Sequence, residues 1–319
     1  SLVGSEMGIR DRKWGESRRD GGIAWARKQA AKRDFESEFR RKFAKRQAPK
    51  QDTRLIPGSD DFDNDLYLAD LELRNAEATR QFREGLQLRT EQARPAAERH
   101  IENMEWESIQ TVEDFQRYMR DLGVEVRGET KKVKPMRAIA EAHSRLIKSG
   151  QFVPERIGLG AFDGRTFNKG VMAHFSSGDE TVEYNVDDSF WNAMVKGTRQ
   201  NAAQNWWASF DPLSVIYHEN GHFMHWQSVK SIRASGFVEI GDEYDSSAFN
   251  DRQTENRIND RVSRYASTKR TEFVAEVYTG LITGRRFDDE TMELYRKYKG
   301  PDVPLSLIHI SEPTRLRRI

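Results

Sequence analysis

The feature that most constrains this chain is the stretch DPLSVIYHENGHFMHW, which runs from Asp211 to Trp226. It holds three of the seven histidines within eight residues, and a glutamate directly follows the first of them. Asp211 before Pro212 predicts a helix start, with a side-chain acceptor at the N-cap and proline at the first helical position. On that helix His218 and His222 lie about one turn apart and leave the same face. Both imidazoles can therefore converge on one ion.

The chain contains no cysteine, so a metal would have to be held by histidines and carboxylates. Glu219 is rotated by about 100° from His218 around the helix, which places it beside an ion rather than on it. There it could take a proton from a water molecule. The spacing is the H-E-x-x-H pattern of zinc hydrolases, although a chain of this composition contains one chance match with odds of roughly one in a hundred.

His225 is a separate case, because it lies seven residues after His218. Two turns of helix separate the two side chains by about 10 Å of rise, too far for one ion unless the helix breaks. The residues that follow His222 are good helix formers, and we therefore expect His225 to pack against the fold or line a cleft.

A third protein ligand is expected because catalytic zinc sites usually have three, with one position open for water. The segment RYASTKRTEFVAEVYTGLI carries Glu272 and Glu276 four residues apart among apolar neighbours. Carboxylates are costly to bury there unless they are paired or bind metal. We predict Glu272 as the metal ligand and Glu276 as the partner that orients a ligand imidazole. A solvated acidic edge without a role is the alternative.

Together, HENGH and YASTKRTEFVAEVY resemble the motifs of the gluzincin zinc metallopeptidases, among them the catalytic domain of anthrax lethal factor. A similar pairing occurs in metallopeptidase-like domains of bacteriophage minor head (head morphogenesis) proteins. The resemblance covers about residues 111–304 and is specific only at the two motifs. The 49 residues between His222 and Glu272 are more than in thermolysin-like members, which favours the lethal-factor-like branch.

Carried over residue by residue, the resemblance implies that His218, His222 and Glu272 bind Zn²⁺ and that Glu219 is the general base. It further implies that Tyr265, seven residues before Glu272, stabilises a developing oxyanion. The expected activity is zinc-dependent hydrolysis of peptide bonds in a peptide or protein substrate. An edge strand beside the active-site helix would hold that substrate, and ETVEYNV is the candidate strand.

Residues 111–304 are predicted to form an α+β domain. TVEDFQRYMRDLG has a threonine N-cap and a glycine stop, and KPMRAIAEAHSRLIKSG has proline near its start, so both predict helices. ERIGLGAF, GVMAHFSS and ETVEYNVDD show rough strand alternation, and SFWNAMVKGTRQNAAQNWW predicts a further helix. The resemblance makes this a zincin-like metallopeptidase domain with a small mixed sheet and an active-site helix.

The N-terminal part is a helical extension with strong charge asymmetry. Residues 1–50 carry 15 Lys and Arg against 7 Asp and Glu, whereas residues 51–110 carry 7 against 14. We predict a basic helical arm and linker over 1–60 and a helical extension over 61–110, either one long helix or two with a break near Pro95. The arm could contact DNA or phage head and portal components, or be a solvated extension.

Both ends are unusual. The chain opens SLVGSEMGIR without an initiating methionine, so we expect an incomplete N-terminus, and no signal peptide is visible. LSLIHISEPTR resembles the in-frame translation of a sequencing-library adapter, so we interpret residues 305–319 as an artefact. No apolar run is long enough for a transmembrane helix, and we expect no membrane partner. A virion or host cytoplasm is the expected location.

Three functions remain open at this point. The first is a zinc endopeptidase, phage- or prophage-encoded and associated with a phage head protein. The second is a non-catalytic phage minor head or structural protein whose zinc-binding domain is a folding module. The third is a DNA-binding helical protein in which H-E-x-x-H is fortuitous and no metal binds. The first two share their ligands and differ in whether Glu219 has a use.

Overall fold

The computed structural model describes residues 53–55, 57, 63–160, 171–186 and 189–303. The predicted basic arm helix and the predicted adapter-derived tail therefore lie outside the described residues. The chain divides into two compact units. The first contains the described residues of 84–230 and 240–303, and the second contains those before 84 together with 231–239. None of the described helices is long and apolar enough to cross a membrane.

The described residues form eight α-helices and six strands, a mixed α+β architecture as predicted. The helices are α1 (Asn64–Glu102), α2 (Val112–Asp121), α3 (Val133–Lys148), α4 (Met194–Ala203), α5 (Ser214–Val229), α6 (Arg252–Arg261), α7 (Arg270–Ile282) and α8 (Asp289–Lys297). The strands are β1 (Glu125–Arg127), β2 (Arg156–Gly160), β3 (Ala173–Ser176), β4 (Thr181–Asn185), β5 (Lys230–Ile232) and β6 (Val238–Ile240).

Several helices begin and end where the sequence predicts. Thr111 caps α2 through a capping box, in which its side chain accepts from the Asp114 amide and the Asp114 carboxylate accepts from the Thr111 amide. Helix α3 carries Pro135 in its first turn, and Gly150 beyond its end adopts a φ of +77°. Helix α1 continues through Pro95, so of the two alternatives the single long helix is the one observed.

Two of the predicted local structures need correction. Helix α5 begins at Ser214, and its N-cap is Leu213, two residues later than the predicted N-cap at Asp211. The Asp211 carboxylate instead accepts from the Leu213 amide at 2.8 Å, which forms a turn in front of the helix. The segment SFWNAMVKGTRQNAAQNWW is not one helix, because a 3-10 turn over Ser189–Asn192 precedes α4.

The main sheet has four strands in the order β1-β2-β4-β3. Strand β2 is parallel to both β1 and β4, whereas β3 is antiparallel to β4. The prediction that ETVEYNV is an edge strand is wrong, because that segment is β4 and pairs on both sides. Among the described residues, β1 and β3 are the two edge strands of this sheet. Phe175 on β3 packs edge-on against Phe223 and Trp226 of α5.

Helices α5 and α7 form the centre of the first unit and are buried along nearly their whole length. Their backbones approach closely at Gly221 of α5. A Cβ built on Gly221 would lie 3.0 Å from the Ala275 Cα and 3.0 Å from the Tyr278 ring. Gly221 lies three residues after His218, on the side of α5 that faces α7. Its lack of a side chain lets the two helices approach closely enough for His218 and His222 to reach α7.

We expect Gly221→Ala to lower the free energy of unfolding. The added methyl group would collide with the backbone of α7, and overpacking of this kind costs about 1–3 kcal/mol. That loss exceeds the roughly 1 kcal/mol that alanine gains over glycine in a helix. Denaturant unfolding measures the free energy of unfolding of this variant, and Gly85→Ala is the control. Gly85 lies in α1 with nothing within 4 Å of a built Cβ, so that variant should be stabilised. A Gly221→Ala protein of higher stability would contradict the close helix approach.

Candidate metal centre

Three nitrogen and oxygen atoms from α5 and α7 meet in a compact triangle. His218 Nε2 lies 3.0 Å from Glu272 Oε2, His222 Nε2 lies 3.2 Å from the same oxygen, and the two Nε2 atoms are 3.1 Å apart. The two imidazole rings are nearly perpendicular, at 83°. All three residues are buried, with Glu272 2% exposed. The structure thus brings together residues that are 50 positions apart in the chain.

The triangle has the dimensions of a metal site. Zn–N and Zn–O bonds of about 2.0–2.1 Å at tetrahedral angles place neighbouring ligand atoms about 3.3 Å apart. The three observed distances are close to that spacing. His218, His222 and Glu272 could therefore hold a metal ion, as predicted. Among the described residues, they form the one group of at least three histidine, aspartate or glutamate side chains whose ligand atoms lie close enough together.

Glu276 fixes the orientation of the His218 ring from behind. Its Oε1 lies 2.8 Å from His218 Nδ1, so Nδ1 donates and Nε2 presents its lone pair to the triangle in the neutral ring. Its Oε2 accepts from the Ala208 amide at 2.6 Å and from the Ser263 hydroxyl at 2.9 Å. Glu276 is thus where the predicted orienting carboxylate should be.

The electrostatics of the triangle favour a cation. With Nδ1 donating to Glu276, the lone pair of His218 Nε2 faces the Glu272 carboxylate, and this contact repels unless a positive charge lies there. Burial disfavours the charged imidazolium, but hydrogen bonds to Glu272 and Glu276 outweigh it and raise the pKa of His218 well above its usual value. Burial also opposes ionisation of Glu272, yet the neighbouring histidines hold its pKa well below its ordinary range.

Helix α7 contributes to this preference at its start. Glu272 is the third residue of the helix, within the first turn. Carboxylates are favoured in that turn because the backbone amides there carry partial positive charge. The first turn of α7 thus helps keep Glu272 ionised inside an otherwise apolar helix pair.

Glu219 lies beside the triangle and is 7% exposed. It lines a small pocket together with His218 and Tyr265, at whose edge Ala173 of β3 also lies. Within the described part of the chain, no hydrogen-bond or ion-pair partner contacts its carboxylate. A buried carboxylate without a partner in this part of the chain, next to three groups that could hold a metal ion, is available to a water molecule.

Tyr265 is buried against the same site. Its ring centroid is 5.4 Å from that of His218, and its hydroxyl interacts with the Glu272 carboxylate. Burial, and after it the charges of Glu272 and Glu219, raise the pKa of Tyr265 well above its usual value. The hydroxyl is therefore neutral near pH 7 and can donate a hydrogen bond. Its assigned role stays a prediction from the resemblance.

His225 lies apart from the triangle, as its helical position predicts. Its Nε2 donates to the Tyr298 carbonyl at 2.8 Å, and its ring packs 5.0 Å from that of Tyr244. Burial lowers the pKa of His225 to about 4. A neutral, hydrogen-bonded histidine of this kind has a packing role.

Tyr244 is a residue of the site that the sequence reasoning missed. It follows β6 and packs against Trp226 as well as His225 on α5. Burial and then the charges of Glu272 and Glu219 raise the pKa of Tyr244, so its hydroxyl stays neutral near pH 7. No pattern around DEYDSS distinguishes this tyrosine from the others, and only the folded chain places it here.

No family model, curated protein or solved structure matches the chain. The function of the site is therefore argued from its geometry and from the sequence motifs.

Proposed function

We propose that the chain is a zinc-dependent metallopeptidase with a zincin-like domain. The observation that carries this proposal is the meeting of His218, His222 and Glu272 around one point, with the unpartnered Glu219 carboxylate beside it. A closed structural site would need no carboxylate of this kind beside its ligands. The same arrangement supports a hydrolytic reaction, because a base must reach a water molecule next to the ion.

The ligand set supports zinc as the metal. Two imidazoles and one carboxylate leave one tetrahedral position open, which is typical of catalytic rather than structural zinc. Magnesium and calcium prefer oxygen ligands in larger numbers, and the two nitrogens disfavour them. The absence of cysteine from the chain also excludes thiolate ligands, which dominate structural zinc sites.

The chemistry divides among the side chains as follows. Zinc, when bound, supplies a Lewis acid that lowers the pKa of a water molecule toward 7 and polarises a carbonyl group. Glu219 accepts the proton of the attacking water and then gives it to the leaving amine. The Tyr265 hydroxyl donates a hydrogen bond to the oxyanion that develops on the substrate carbonyl. Glu276 keeps His218 in the tautomer that can bind the ion.

Strand β3, whose outer edge has no partner strand among the described residues, is the proposed substrate platform in place of the predicted ETVEYNV. Strand β3 lies beside α5, since Phe175 contacts Phe223 and Trp226. An extended peptide can add to such an edge through backbone hydrogen bonds. Ala173 of β3 also lines the pocket that contains Glu219, so a peptide on this edge would pass the site.

The proposal is tested by incubating the purified protein, reconstituted with zinc, with a mixed peptide library and analysing new termini by mass spectrometry. Cleavage should disappear with a chelator and return when zinc is added. Stoichiometric zinc binding with no cleavage of any peptide or unfolded protein substrate would contradict the enzyme and favour the non-catalytic structural domain. Failure to bind zinc would contradict both the enzyme and the zinc-binding structural domain.

A further inference from the structure

Arg285 lies just beyond α7, in the turn that ends the helix. Gly284 adopts a φ of +87°, its amide donates to the Leu281 carbonyl at 3.1 Å, and the Arg285 amide donates to the Gly280 carbonyl at 2.8 Å. These bonds form a Schellman motif, in which glycine is favoured at the left-handed position. The turn directs the Arg285 side chain back toward the first unit's interior.

The guanidinium of Arg285 joins two separate backbone segments. Its Nη1 donates to the Ala208 carbonyl at 3.0 Å and to the Val262 carbonyl at 2.9 Å, and its Nη2 donates to the Arg261 carbonyl at 2.6 Å. One segment is the loop before α5, and the other starts at the last residue of α6 and continues beyond it. Phe287 packs against the guanidinium, 4.8 Å from its ring centroid, and holds it in place.

Both of these segments supply the hydrogen bonds that hold Glu276. The Ala208 amide donates to Glu276 Oε2 from the first segment, and the Ser263 hydroxyl donates to the same oxygen from the second. Glu276 in turn accepts from His218 Nδ1. A continuous series of contacts thus leads from Arg285 through the backbone carbonyl and amide of Ala208 to Glu276 and a proposed metal ligand.

The same two segments also position Tyr265. The Tyr265 amide donates to the Trp206 carbonyl at 3.2 Å, and the Arg264 amide donates to the Asn205 carbonyl at 2.8 Å. The two segments therefore lie side by side, and Arg285 adds hydrogen bonds to both of them.

We infer that Arg285 is a positioning residue of the metal centre, which clamps the two segments that orient Glu276 and Tyr265. Its hydrogen bonds go to backbone carbonyls and to none of the proposed ligands, so it acts through Ala208 and through the segment that carries Ser263. Arginine suits this place because its planar guanidinium presents five donors in a fixed fork, whereas lysine offers one point of attachment. The inference rests on the proposed metal centre.

Arg285→Gln should weaken zinc binding by about tenfold, at the low end of the effect of losing an outer hydrogen-bond partner. Zinc affinity is measured by chelator competition at a temperature where the variant is folded. Cobalt substitution provides a second readout, since its visible absorption reports the geometry of the ligands and should change. Arg286→Gln is the matched control, because Arg286 is the exposed neighbour and should bind zinc as the wild type does.

A double-mutant cycle separates positioning from general destabilisation. If Arg285 acts through Glu276, then adding Arg285→Gln to Glu276→Gln should change zinc affinity by less than about twofold. Arg285→Gln with wild-type zinc affinity and cobalt spectrum, even at a lower Tm, would overturn the inference, and so would full additivity in the cycle.

A metal-free readout keeps this test independent of the proposed function. The proton shared by His218 Nδ1 and Glu276 should give a slowly exchanging downfield proton resonance in the apo protein, which Arg285→Gln should shift or broaden and Arg286→Gln should not. An unchanged resonance would overturn the clamp. Absence of zinc binding in the wild type would contradict the proposed function, while this resonance would still decide the role of Arg285.

Discussion

Glu219→Gln is expected to lower kcat/KM for peptide cleavage by about 1,000-fold, within the range that general acid–base catalysis contributes. Glutamine has nearly the shape of glutamate and cannot accept the proton of the attacking water. Zinc affinity should stay within about threefold of the wild type, because Glu219 lies beside the triangle rather than in it. Steady-state kinetics on a cleaved peptide and chelator competition measure the two quantities on the same preparation.

Glu293→Gln is a suitable control for this variant, since Glu293 is an exposed carboxylate on α8 outside the metal centre. It should have wild-type activity and zinc affinity. If Glu219→Gln kept more than a tenth of the wild-type kcat/KM, another group would have to be the base. If it lost zinc instead, Glu219 would belong to the ligand set.

Glu272→Ala is expected to weaken zinc binding by more than about 100-fold, since even hydrogen-bond partners of ligands cost 10–100-fold. The change removes one side of the triangle and leaves two histidines on one helix. Peptide cleavage should fall with the fraction of zinc-loaded protein. Competition with a chromophoric chelator at pH 7.5 gives the affinity.

The loss of zinc affinity should differ between the two carboxylates of α7, Glu272 and Glu276. Glu276→Gln removes a charge from the partner of His218 but leaves the triangle complete, so its loss in zinc affinity should be smaller than that of Glu272→Ala. The reverse order, or an unchanged affinity in Glu272→Ala, would show that the third ligand is elsewhere.

The residues of the triangle could be predicted from the sequence because the local geometry of each helix determines most of their placement. The spacing of His218 and His222 puts them on one helix face, and the spacing of Glu272 and Glu276 does the same on another. Their apolar neighbours predict that both helices are buried. Only the pairing of the two helices is a long-range property, and there the motif resemblance supplied the expectation.

One error concerns a feature that depends on distant parts of the chain, and the other concerns a competing local turn. MAHFS and TVEYN have similar strand alternation, and only the pairing with β2 shows that the second of them lies inside the sheet. Helix α5 starts later than predicted because the Asp211 side chain accepts a hydrogen bond from the Leu213 amide. This local turn competes with helix capping.

Arg285 illustrates why the supporting residues could not be found from the sequence. In GRRFDD the two arginines look equivalent, and the difference between them arises from the left-handed Gly284 turn and from carbonyls of residues 208, 261 and 262. Tyr244 is similar, since its approach to α5 depends on the chain path after β6.

The most direct test of the central claim is zinc-edge X-ray absorption of the protein reconstituted with one equivalent of zinc. We expect a four-coordinate site with nitrogen and oxygen neighbours at about 2.0–2.1 Å and the outer-shell scattering of two imidazoles. Zinc in a six-oxygen shell without imidazole scattering, or zinc that is lost on dialysis, would contradict a metal centre formed by His218, His222 and Glu272.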